Sequence, residues 1–392
     1  MLSSGYACRL FAPIPMGDLA AEYRELRAVL EPVALRVLSS GRYVLGEEVE
    51  AFEAAFARRI GTRFAVGVGS GTAALALGLR AAGIGPGDEV LTVPNTDSPT
   101  ASAIKTTGAD IGFVDVDART FCMDAAALEA RVTSRTRAVL PVHLFGHPAD
   151  LDAITAVVRK HKLLLVEDAA LAVGADYGGK PVGSFGDIGC FSLAPSKILG
   201  GYGDAGIVVT NDHAIARRLR ILRNYGHGPE MIVDESDLRG FATWRVLEQG
   251  TNDRLDALQA ALLAAKLPSL DERIEARRAN ARRYNALLED TNVVLPHEGE
   301  RARHVYFAYT LLLDDRERAR DYLASEAVAS RLYYNPPLHL QPAFADLGLR
   351  AGDFPVAEAT AAQMLAIPVY PQLAKAQVER VAAAVSAFVE RR

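Results

Sequence analysis

Cysteine is scarce in this chain: Cys8, Cys122 and Cys190 are the only three in 392 residues, far apart and odd in number. None forms a C-x-x-C pair or stands at ligand spacing from a histidine, so neither a disulfide scaffold nor a zinc site is expected, and no metal. Free thiols in a reducing cytoplasm are the expectation. Runs of lysine and arginine are missing too, and with a net charge of -5 this sets nucleic acid aside as a partner. No apolar stretch is long enough to cross a bilayer. The N-terminal MLSSGYACRLFAPIP lacks a basic segment followed by an apolar one, so neither a membrane anchor nor a secretory leader is expected. There is no internal repeat and no low-complexity segment.

What is present is an ordinary globular composition, half hydrophobic and 23% charged, with length enough for a large domain and a smaller one. Short apolar runs alternate with Ala/Leu-rich helical stretches. Strands are expected at Phe64–Val68, Glu89–Val93, Ile111–Val116, Ala138–Val142, Leu163–Val166, Ile188–Leu193 and Gly206–Thr210, with helices such as Thr72–Ala82 and Leu151–His161 between them. Continuously apolar strands separated by helices imply an α/β fold, its seven-stranded, mostly parallel sheet covered on both faces. Beyond Asn252, two helical segments, Leu255–Leu267 and Asp271–Leu288, are split by Pro268. A strand at Phe307–Leu313 and helices at Glu317–Glu326 and Lys375–Glu390 follow. The expected division is a large domain over 1–270, N-terminal segment included, and a small C-terminal α+β domain over 271–392.

Three places carry candidate chemistry. In AVGVGSGTAALALGL a strand ends at Val68 and Gly69-Ser70-Gly71-Thr72 opens a helix. Small residues and free amides at a helix start suit a phosphate, although a Ser/Thr cap after a glycine turn is also plain structural punctuation. In LLLVEDAA an apolar strand delivers Glu167 and Asp168 at its C-terminal end, the edge where open α/β sheets bind ligands. Asp168 there suits a protonated ring nitrogen, or a helix N-cap. In DIGCFSLAPSKILGGYGDAG, Lys197 lies between an apolar strand and a glycine-rich turn, five residues after Ser192. A buried lysine loses ammonium stability and becomes a nucleophile and base, where a surface lysine would be inert. Phosphate loop, acidic strand end and lysine, in that order along an α/β chain, meet the needs of pyridoxal-5′-phosphate (PLP) chemistry.

With these residues in place, the sequence resembles the DegT/DnrJ family of PLP-dependent sugar aminotransferases, of the aspartate-aminotransferase fold type. The likeness runs from GRYVLGEEVEAFEAAFARRIG through GIGPGDEV, TRAVLPVHLFGHPADLDAI, VGSFGDIGCFS and NDRLDALQAALLAAKL to PLHLQPAF and FPVAEATAAQMLAIPVYPQL. It implies that Lys197 carries PLP as a Schiff base and that Asp168 faces the pyridine nitrogen. Ser70, Gly71, Thr72 and Ser192 would hold the phosphate, joined by Asn252 from the other subunit of an obligate homodimer. Tyr334 and His339 fall where the family lines its sugar pocket, although a histidine capping the Pro-rich turn is an equal reading of the second. The implied reaction moves an amino group from an amino acid, typically L-glutamate, to a keto-sugar, expected to be nucleotide-linked, in secondary-metabolite or surface-glycan biosynthesis.

The chain also departs from the family pattern. Asp97 stands at the cofactor-site position usually given to an aromatic that stacks on the PLP ring. Leu171 replaces a glutamine, Ile198 an asparagine and Phe307 a frequent histidine. None of these touches the electron sink or the nucleophile, but together they alter the polarity of the pocket. Relatives that dehydrate or deoxygenate sugars carry histidine in place of the lysine, and Lys197 argues against them. Amination of a cyclitol ketone and a non-catalytic PLP- or sugar-binding regulator are the alternative readings.

Overall fold

The computed structural model describes residues 12–228 and 245–391; Cys8 lies outside them. Seven strands, β1 (Phe64–Val68), β2 (Glu89–Thr92), β3 (Asp110–Phe113), β4 (Thr136–Val139), β5 (Leu164–Asp168), β6 (Ile188–Ser192) and β7 (Gly206–Thr210), form one sheet in the order β1-β7-β6-β5-β4-β2-β3. The five strands from β6 to β3 pair in parallel, whereas β7 runs antiparallel to both β6 and β1. All seven expected strands are found, each within a few residues of its expected ends. Their near-total burial explains the unbroken apolar runs, because helices cover both faces.

Helices α1 (Leu19–Ser40), α2 (Glu47–Ile60), α3 (Gly71–Ala81), α4 (Ser98–Thr107), α5 (Ala125–Arg131), α6 (Leu151–His161) and α7 (His213–Leu222) accompany the sheet. Local chemistry fixes their starts. Asp18, Ser70, Asp97, Asp124, Asp150 and Asp212 each accept a hydrogen bond from a first-turn amide. Pro268 does split the later helical stretch: α8 (Ala257–Lys266) and α9 (Leu270–Leu288) are joined by a 3₁₀ turn over Leu267–Ser269. No helix among the described residues is long and apolar enough to cross a membrane.

The C-terminal part holds strand β8 (Tyr309–Leu312), helices α10 (Arg316–Ser325) and α11 (Pro355–Gln363), strand β9 (Met364–Ile367) and helix α12 (Lys375–Glu390). Strand β9, absent from the sequence expectations, pairs antiparallel with β8. A separate core surrounds this pair, built from Tyr284, Tyr309, Leu365, Val381 and Phe388, among others. Ile14 is buried in it and exchanges hydrogen bonds with the 327–329 segment, so the N-terminal segment packs on the C-terminal core.

At the sheet edge a buried ion pair ties three elements together. Glu53 of α2 accepts from the Gly67 amide at 2.8 Å and from Arg223 at 2.5 Å, while Arg223 also donates to the Gly67 carbonyl at 2.6 Å. Glu53 and Arg223 are each 5% exposed. Glu53→Ala would leave a buried guanidinium and a strand amide without their partner, and is expected to lower stability by about 3–5 kcal/mol, measured by denaturant unfolding.

Candidate active site

The site lies at the C-terminal end of the parallel strands, and glycine makes its closest contacts possible. Strand β1 ends at Val68, and the Gly69 amide donates to the Asp253 carbonyl at 2.9 Å. Ser70 then caps α3, its Oγ accepting from the Ala73 amide at 3.0 Å. A Cβ on Gly71 would lie 2.6 Å from the Ser192 Cβ, and one on Gly206 would lie 2.1 Å from the Ser70 carbonyl oxygen. The helix start, the end of β6 and the start of β7 therefore meet only because both positions lack a side chain. Gly71 and Ser192 sit side by side, and Ser70 and the exposed Thr72 flank them at the first turn of α3. That arrangement is a cradle for an anion.

Strand alternation separates the two carboxylates of β5. Glu167, fully buried, accepts from the amides of Gly183 (2.6 Å), Phe185 (2.8 Å) and Gly186 (2.8 Å). It also meets His143 Nε2 at 3.1 Å, while His143 Nδ1 accepts from the Ala149 amide at 3.0 Å. Glu167 is thus committed to structure. Asp168 points the other way, and accepts from the Thr100 hydroxyl at 2.8 Å and the Ala170 amide at 3.1 Å. No ion pair to Asp168 occurs among the described residues. Burial pushes its pKa up, against the opposing pull of Thr100, Ala170, Lys197 and His143. A buried carboxylate without a cationic partner suits a cationic ring nitrogen.

Lys197 sits on the turn after β6, its amide donating to the Ala194 carbonyl at 2.9 Å. Its Nζ lies 5.0 Å from the Phe307 ring centroid. Burial lowers its pKa; Asp168 and Asp97 oppose that effect and Arg331 adds to it. Lys266 makes an informative contrast. It is fully buried where Lys197 is half-buried, and its ammonium is held by Glu22 and by the Gly200 carbonyl. Among the described residues Lys197 has no such anchor, which leaves its amine available for chemistry.

The other expected residues are placed as follows. Asp97 caps α4 through the Ser98 amide (2.8 Å) and keeps its carboxylate exposed, its charge bearing on Lys197 and Tyr334. Tyr334 stacks on Phe145, with centroids 6.1 Å apart and planes 4° from parallel. Its hydroxyl is held well above its ordinary pKa, first by burial and then by Tyr333, Asp97 and Asp168, so it remains a donor. Leu171 and Ile198 are buried core residues, and Phe307 forms the floor beneath Lys197. His339 is enclosed: Nε2 meets Glu358 at 3.0 Å and the ring meets Phe354 edge-on at 4.8 Å. Those contacts brace the Pro-rich turn; none of them reaches Lys197 or Asp168. Asn252 is exposed within the single chain, and its backbone bridges Asn224.

Sequence reasoning missed Thr100, His143, Phe145 and Arg331. Only Phe145 carries a local signal, since it precedes Gly146 in a turn where both residues have positive φ (55° and 92°). That turn lets the Phe145 carbonyl accept from the Phe307 amide at 2.9 Å, which carries Phe307 to the lysine.

Comparison with known proteins identifies the family. Residues 27–386 match the model of the DegT/DnrJ/EryC1/StrS aminotransferase family. A dTDP-3-amino-3,4,6-trideoxy-alpha-D-glucose transaminase of Streptomyces venezuelae is 41% identical, over 96% of this chain and 97% of its own. A protein of Geobacillus stearothermophilus named as a pleiotropic regulatory protein is 40% identical, over 96% of this chain and 98% of its own. The crystal structure of S. venezuelae DesV in complex with a ketimine intermediate superposes with a TM-score of 0.92 at 41% identity, covering 97% of this chain and all of DesV. The chain belongs to the DegT/DnrJ/EryC1/StrS aminotransferase family.

Proposed function

We propose that the protein is a PLP-dependent transaminase that moves the amino group of L-glutamate to a nucleotide-linked keto-sugar, making an amino sugar for a secondary metabolite or surface glycan. One observation carries the reading: a half-buried lysine and a buried carboxylate, neither with an ion-pair partner among the described residues, share one sheet edge with the Gly71–Ser192 cradle. These residues fit PLP, which supplies the electron sink for labilising bonds at the donor's α-carbon. Asp168, oriented by Thr100, holds a proton on the pyridine nitrogen. Ser70, Gly71, Thr72 and Ser192 hold the phosphate, with Asn252 of the partner subunit. Lys197 Nζ binds the cofactor, then takes the proton from the donor's α-carbon and delivers it to the cofactor side. Tyr334 and the exposed Asp97 line the substrate side, and His339 supports the turn that carries Tyr334.

In this reading the large domain over 1–270 carries the cofactor and 271–392 closes over it, in a cytoplasmic homodimer. The dimer reading draws on large apolar side chains that a single chain leaves exposed, among them Leu35, Tyr43, Val44, Tyr202, Tyr225 and Val246. The name of the Geobacillus relative favours a second reading, a regulator that binds PLP or sugar without turnover. A regulator needs no basic amine held free beside an electron sink, and the two readings part on the L-glutamate half-reaction. A cyclitol ketone as acceptor would leave that half-reaction unchanged and alter only the second.

Borohydride reduction of the holoenzyme should fix the cofactor to the Lys197 peptide, read by mass spectrometry. Lys197→Ala should lose that adduct and slow the half-reaction by about 10²–10⁴-fold. Retained multiple turnover in Lys197→Ala would refute the scheme. Asp168→Asn keeps the shape but removes the charge, and should cut kcat on the order of a hundredfold. Gly71→Ala forces the loop away from Ser192 at a cost of about 1–3 kcal/mol. PLP affinity, followed by absorbance titration, should then weaken roughly ten- to hundredfold.

A further inference from the structure

We propose that Arg331 is the receptor for the α-carboxylate of the amino donor, an inference that rests on the transaminase reading above. Its backbone is fixed: the Arg331 amide donates to the Ala366 carbonyl at 3.0 Å, and the Ala366 amide returns a bond at 2.8 Å. Its guanidinium lies 5.8 Å from the Tyr333 ring centroid. Tyr333 is 5.0 Å from Tyr334, and both rings lean on Phe145, at 5.3 and 6.1 Å. This aromatic wall leads from β9 to the site. The same wall connects to the lysine, because the Phe145 carbonyl holds the Phe307 amide and the Phe307 ring lies beneath Lys197; the Arg331 charge bears on both Lys197 and Tyr334.

Other arginines here are committed: Arg223 to Glu53, Arg273 to Glu22 and Arg278 to Glu298. Arg331 is exposed, and among the described residues no carboxylate pairs with it. A planar fork of donors left open at the end of this aromatic wall matches a carboxylate in shape and charge. The amino donor brings such a group one bond from the carbon whose proton Lys197 takes. Asp97 sets the direction, because its exposed carboxylate also bears on Lys197 and Tyr334. The pocket is therefore dipolar, drawing an anion towards Arg331 and away from Asp97.

The test uses holoenzyme of the wild type, R331A and R331K. Binding of α-methyl-L-glutamate, which has no α-hydrogen to lose, is read from the visible spectrum. Half-reactions with L-glutamate and its α-amide are followed in parallel, together with the affinity for the keto-sugar. We expect R331A to bind α-methyl-L-glutamate about 10–100-fold more weakly, and R331K to recover part of that loss. The α-amide and the keto-sugar should be nearly indifferent to the change, which also shows that the variant is intact. Unchanged α-methyl-L-glutamate binding in R331A would overturn the assignment. So would a loss confined to the keto-sugar, which would give the guanidinium to an anionic part of the acceptor. A wild type that reacts with no amino acid would overturn the transaminase reading, and this inference with it.

Discussion

Strand β5 ends in two adjacent carboxylates, and the twofold alternation of an extended chain turns them in opposite directions. Much of the site depends on that geometry. Glu167 gathers three amides of the 183–186 turn together with His143, fixing the turn that leads into β6 and hence to Ser192 and Lys197. Asp168 faces the other way, where among the described residues only Thr100 and Ala170 hydrogen-bond to its carboxylate. A register slip of one residue would bury Asp168 among the amides and expose Glu167. The carboxylate that orders the scaffold and the one left with an unmet charge are neighbours in sequence with opposite duties.

The same principle separates two desolvated lysines, Lys197 and Lys266. Desolvation disfavours the ammonium of both Lys197 and Lys266, so burial alone does not mark a reactive amine. What differs is the partner. Lys266 is held by Glu22 and a carbonyl, whereas Lys197 stands over an aromatic ring with its carboxylates at longer range. Phe307, a departure from the family pattern, contributes here: an aromatic face attracts the cation without fixing its position through a hydrogen bond.

The sheet was legible in the sequence because buried parallel strands are apolar throughout and glycine or aspartate punctuates their ends. Strand β9 was not. Its run, MLAI, continues from the Ala-rich α11, and only pairing with β8 decides between helix and strand. Lys197, Asp168 and the glycine loop were legible because chain order and a chain-long resemblance singled them out. Thr100 and Arg331 were not, since a threonine inside a helix and a lone arginine in an irregular segment acquire meaning only from what folds opposite them. His339 shows the converse. The motif drew attention to it, and its recorded contacts are with Glu358 and Phe354.

These differences follow from how each residue is held. Gly71 and Gly206 meet neighbouring atoms so closely that an added carbon would displace a strand end or a helix start, and they place the Ser192 cradle by backbone alone. The rim is built otherwise. Asp97 spends one carboxylate oxygen on a cap and leaves its charge outward, Arg331 is fixed only through its backbone, and Tyr334 rests on a stacked ring. A side chain held through its backbone or by stacking can be exchanged without moving the sheet, so the rim can change polarity while the lysine, the carboxylate and the cradle stay in place. The departure at Asp97 belongs to this rim, whereas the one at Phe307 lies beneath Lys197 and bears on the amine itself, contrary to the expectation that none of the departures touches the nucleophile.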